Sequence, residues 1–182
     1  MDSDAALRAT RAWVERAVIG LNLCPFAKAV QAKGGVRYVC SDAANTDALL
    51  ATLRSELQRL SDTPMDQIET TLLVHPRVLQ DFLDYNDFLG EADALLQQMG
   101  LEGTLQIASF HPQYQFAGTR ADDIENATNR SPYPTLHLLR EASIERAVAA
   151  FPEAASIYEA NQRRLRALGP AGWAALRAYW QG

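Results

Sequence analysis

The sequence predicts an α/β fold: a small three-stranded sheet, parallel or mixed, made by a βαβαβ run and flanked by N-terminal and C-terminal helices. Three observations carry that expectation. Short alternating or β-branched runs at 36–41, 70–74 and 104–110 read as strands. Between them lie two long segments with apolar residues at helical spacing, and right-handed crossovers through these would set the strands side by side. At 182 residues, 48% hydrophobic and 21% charged, the chain suits one domain over residues 1–182. A globule of that size buries roughly 70% of its unfolded surface and needs no disulfide or structural metal. A split, partly antiparallel sheet is the alternative arrangement.

Residues 4–21 place Leu7, Val14, Val18 and Leu21 at helical spacing, with Arg8, Arg11 and Glu15 elsewhere on the wheel. Pro25 suits the first turn of a second short helix, and Gly34-Gly35 ends it. In the first strand Val36, Tyr38 and Cys40 alternate with Arg37 and Val39. Asn45 or Thr46 caps the next helix, whose Leu49, Leu53, Leu57 and Leu60 form one stripe. The nearly unbroken apolar run 70–74 predicts a strand buried on both faces, ended by His75-Pro76. Residues 79–99 read as a helix with Phe82, Leu83, Leu89, Leu95, Leu96 and Met99 inward, kinked or divided at Asn86 and Gly90 and stopped by Gly100. After the third strand and His111-Pro112 comes a loop of roughly twenty residues, a length that often marks function. Pro134 is then expected to open a helix to about Ala150, with Phe151-Pro152 ending it. A further helix over 153–168, a turn at Gly169-Pro170 and a last helix with Trp173, Leu176 and Trp180 complete the chain.

A net charge of -5 lacks the basic field that long nucleic acid requires, so broad nucleic-acid binding is not expected. The opening Met-Asp-Ser-Asp is acidic where a signal peptide is basic, and no apolar stretch reaches the length of a membrane span. A cytoplasmic location with no membrane contact is the expectation, and there Cys24 and Cys40 stay reduced. Oligomeric state is not legible in these residues.

Unusual polar residues crowd between Ser109 and Glu141. If the strands are parallel, Cys40, His75 and His111 lie at or just past their carboxyl ends, the edge where open α/β sheets bind ligands. His137 and Glu141 are four apart on the expected helix and so share one face. With His111 they would supply three ligands to a divalent metal ion and leave a position for water; a plain surface hydrogen bond or ion pair is the alternative for the pair. Arg120, Arg130 and Arg140, with Asn129 and Ser131 beside the expected helix start, suit a small anion. The alternative is that these arginines pair with Asp122, Asp123, Glu125 and Glu145 and pin the loop. Tyr114, Phe116 and Tyr133 either stack on a planar ligand or anchor the loop. Cys24, just before Pro25 at a helix start, is a nucleophile if a histidine lies near, and a small buried hydrophobe otherwise. Neither a P-loop nor a dinucleotide fingerprint is present, which leaves nucleotide binding by those routes unsupported.

The words GLNLCPFAK, DYNDFLGEAD, LQIASFHPQYQFAGT and NRSPYPTLHLLREASIERA together resemble the bacterial and plant family catalogued as domain of unknown function 1415. The resemblance runs over roughly residues 11–157; it implies the boundaries and the position of the site, and supplies no reaction. Three readings follow from the residues. The first is an enzyme acting on a small anionic metabolite, by metal-assisted hydrolysis in the version to test first. Arg120 and Arg130 would hold the anion, with Tyr114, Asn129 and Ser131 beside it. His111 and His137 would exchange protons or bind metal with Glu141. The second is a non-catalytic module for an anion or a protein partner, and the third is thiol chemistry at Cys24. The first needs its imidazoles and guanidinium groups to share one pocket.

Overall fold

Caps and alternation build most of the elements in the computed structural model, which describes residues 2–150 and 156–181. The helix stop expected at Phe151-Pro152 and the helix start expected at Glu153 lie outside these residues. Asp2 accepts a hydrogen bond from Asp4 N–H and starts α1 (Ser3–Trp13), which runs directly into a π-helical segment, Val14–Ile19. Then follow α2 (Ala27–Ala32), β1 (Val36–Cys40) and α3 (Thr46–Asp62). Asn45 caps α3 by accepting Ala48 N–H at 2.9 Å. Next come β2 (Thr70–Val74), α4 (Phe82–Gln98), capped by Asp81, and β3 (Leu105–Phe110). A 3₁₀ turn over Ile124–Asn129 lies inside the long loop, followed by β4 (Thr135–Arg140), α5 (Glu141–Ala150) and α6 (Ile157–Gln181). As the sequence suggests, α6 is two helices joined at Gly169, whose φ of 68° and ψ of 171° are not helical.

Among the described residues the sheet has four strands, not three, in the order β1-β2-β4-β3. β1 and β2 are parallel, whereas β4 is antiparallel to both β2 and β3 and fills the slot between them. Residues 135–140 were expected to be helical because Pro134 suits a helix start. The strand wins because Leu136 and Leu138, on alternate positions, complete the same apolar face as Leu73 and Leu105.

The two faces of the sheet differ. On the first, α3 and α4 pack over Leu73, Leu105, Leu136 and Leu138. The α3 stripe Leu49, Leu53, Leu57 and Leu60 is fully buried there, each side chain contributing about 2 kcal/mol of transfer free energy. α4 is continuous through Asn86 and Gly90, and it buries Tyr85, Phe88 and Ala92 while Leu83 points to solvent. On the second face, Trp13, Val14, Trp173 and Trp180 cluster over Tyr38, Leu72 and Phe110. That cover is partial: α2 and α5 have no buried residue. Among the described residues no helix is long and apolar enough to cross a membrane.

Candidate functional site

The register sets three rows of side chains across the second face. Val74, Thr135 and Phe110 form one, Leu72, His137 and Ala108 the next, and Thr70, Leu139 and Gln106 the third. The first row carries the tryptophan cluster, with Trp13 edge-on to Phe110 at 5.2 Å. The other two floor a cavity of about 1250 Å³ between the π-helical segment, α2 and α5. Ala108 is small, and its missing bulk leaves the space beside His137 open. Val14 and Val18 form one wall, Cys24 and Phe26 another, and Ile144 and Ala147 of α5 a third.

His137 is the ionisable group on this floor. Thr70 Oγ1 lies 2.6 Å from Leu138 O and 2.7 Å from His137 Nε2. A carbonyl only accepts, so the one hydroxyl proton goes to Leu138 O, and His137 Nε2–H donates to Thr70 Oγ1. The neutral ring is therefore the Nε2–H tautomer, with its lone pair on Nδ1. Among the described residues Nδ1 has no partner, and it is not sealed off from the cavity. Burial pushes the ring's pKa down to about 4, which keeps it neutral at pH 7.

Cys24 lines the same cavity, half-buried. The N–H groups of Phe26 and Ala27 favour its thiolate, as the helix start led the sequence to suggest, but burial outweighs them and pushes the thiol pKa up. Cys40 ends β1 as a second free thiol, also pushed up by burial.

His111 is on the other side. It follows Phe110 and turns to the α4 face, fully buried against Phe82 and Tyr85 at ring distances of 5.5 and 5.1 Å. Its Nδ1 accepts Gln113 N–H at 3.0 Å and its Nε2–H donates to Leu79 O at 3.1 Å, so neither nitrogen is left for a metal. Leu79 holds a left-handed φ of 57° that a leucine rarely adopts. His75 is buried beside them, with Nδ1 3.3 Å from Val78 O, and its Nε2 has no partner among the described residues. His111 and His137 thus lie on opposite faces of the sheet, and Glu141 begins α5 rather than following His137 round a helical turn. The three do not converge. Among the described residues no group of three or more His, Cys, Asp or Glu is placed to hold a metal ion.

The residues expected to bind an anion are occupied with the loop. Arg130 donates to Tyr114 O and Ala121 O, Asn129 to Ser109 O and Ser131 to Tyr133 O. Arg120 pairs with Asp122 at 3.1 Å in full solvent exposure. Arg140, outside the loop, donates to Leu60 O in the last turn of α3 and to Thr63 O and Ile68 O just after it. Tyr114 packs between Phe82 and Phe116. Asn126, fully buried, ties Phe116 N, Thr119 Oγ1 and Arg120 O together. Of the ion pairs in the pinning alternative the described residues show Arg120–Asp122, whereas Arg130 ties the loop through carbonyls and Glu125 pairs with Arg166.

Sequence reasoning missed Thr70, Gln106 and Ala108. The signal was there for the last two: Gln106, Ala108 and Phe110 occupy alternate positions of a strand and so share a face.

Neither a curated protein nor a solved structure matches the chain. The profile of the family described as "Protein of unknown function (DUF1415)" matches residues 5–175, a wider span than the quoted words cover, and the chain belongs to that family.

Proposed function

We propose that the chain receives a small, mainly apolar molecule in the cavity on the second face of its sheet, with His137 Nδ1 as the acceptor that meets it. The observation that carries this reading is the Thr70–His137 hydrogen bond, which leaves an accessible lone pair on the floor of an apolar cavity. Ligand pockets commonly combine apolar walls with a few placed polar groups. With a pKa near 4 the ring serves first as a hydrogen-bond acceptor and only weakly as a base. Relative to the sequence expectations, His137 keeps its place and the ligand changes from anionic to apolar, because the loop arginines already donate to carbonyls and carboxylates. The test is a ligand-observed NMR screen of aliphatic and aromatic fragments against the wild type and Ala108→Trp, which fills the floor beside His137. Binding to the wild type alone, with both proteins folded by circular dichroism, supports the reading. Equal binding to both, or none to either, removes it.

A second reading, thiol chemistry at Cys24, is supported by the cavity that Cys24 shares with His137. If His137 assists the thiol, alkylation by N-ethylmaleimide slows several-fold in His137→Gln. Unchanged rates would leave Cys24 an ordinary buried thiol.

A further inference from the structure

Resting on the cavity reading above, we infer that the polar group received on this floor is uncharged and carries a hydrogen-bond donor: an alcohol or carboxamide on an apolar body, not a carboxylate or phosphate. Two unpartnered side chains define the chemistry. His137 presents a lone pair, and Gln106, half-buried on the neighbouring strand one row away, presents an amide with no hydrogen-bond partner among the described residues. An alcohol O–H or an amide N–H satisfies Nδ1, and the amide of Gln106 both donates and accepts. A carboxylate has no proton to give Nδ1, so its oxygens would face a lone pair.

Charge at the cavity argues the same way. The charged lining residues are Lys33, Asp66, Glu69 and Arg146, two of each sign. None lies on the rows that carry His137 and Gln106. Arg146 is itself 3.4 Å from Glu69, and its guanidinium is mostly exposed. An ionised head group buried at the floor would therefore lose hydration without gaining a cation, which is costly, whereas a neutral donor loses little.

The experiment is calorimetric titration of the full chain at pH 7.5 with 1-octanol, octanamide and octanoate, which share one tail. Octanol and octanamide are expected to bind, octanoate at least tenfold more weakly. Gln106→Leu should weaken octanamide several-fold more than octanol. Octanoate binding as tightly as octanol would overturn this inference and leave the cavity reading standing, since the tail would still be received. Failure of all three would remove both. Equal losses for octanamide and octanol in Gln106→Leu, or no loss for either, would overturn the part assigned to Gln106.

Discussion

At the scale of single residues, Thr70 decides which nitrogen of His137 the cavity meets. Thr70→Val keeps the shape of the side chain and removes the hydroxyl that accepts Nε2–H and donates to Leu138 O. The expected cost is about 1–3 kcal/mol, because a buried carbonyl and a ring N–H lose their partner together. The ring's tautomers should then mix, which the ¹⁵N shifts of His137 report directly: one protonated and one bare nitrogen in the wild type, averaged values in the variant. Identical shifts would mean that Thr70 does not set the tautomer. His137 could be singled out from the sequence as a polar residue in an apolar run. Thr70 could not, since it lies 67 positions away and only the pairing of β2 with β4 joins them.

At the scale of elements, α3, the two halves of α6 and the first three strands were legible because local signals mark them: Asn45 capping α3 and the four leucines behind it, the turn at Gly169-Pro170, and the short apolar or alternating strand runs. β4 was not. Its strand state depends on a vacant slot between β2 and β3, a tertiary fact that local pattern does not encode, and the misreading moved His137 and Glu141 onto one helical face. The candidate site inherited that error: His137 was named from the sequence, and Thr70, Gln106 and Ala108 beside it were not. The π-helical segment was equally silent, since its spacing reads as a plain amphipathic helix. Its bonds Gly20 N–H to Glu15 O and Leu23 N–H to Val18 O span five residues. A Cβ at Gly20 would sit 2.2 Å from Arg16 O. Gly20→Ala should therefore rewind the segment, cost about 2 kcal/mol and lower octanol affinity, because Val14 and Val18 line the cavity. Gly90→Ala is the contrast: mid-α4, with nothing within 4 Å of the added carbon, it should gain about 0.5–1 kcal/mol. Thermal melts of the pair should move in opposite directions.

For the whole molecule, three histidines make stability fall with acid. Burial holds His75 and His137 at about 4 and lowers His111 below the ordinary 6.5. The unfolded chain therefore binds more protons between about pH 6.5 and 4. The stabilisation is complete above pH 6.5 and is lost as pH falls through that window. For the fully buried His75 alone the loss is on the order of 3 kcal/mol. Urea midpoints should drop steeply from pH 7 to pH 5, and less steeply in His75→Leu. A flat profile would mean that these rings protonate without penalty. The order of the sheet has one more consequence, for the chain as it leaves the ribosome. The strand that joins β2 to β3 is synthesised last, so one whole edge of apolar Thr-Thr-Leu-Leu-Val stays open until Arg140 has emerged. A nascent chain paused before Pro134 offers that edge to its neighbours on the same messenger, and products cut there should precipitate rather than fold.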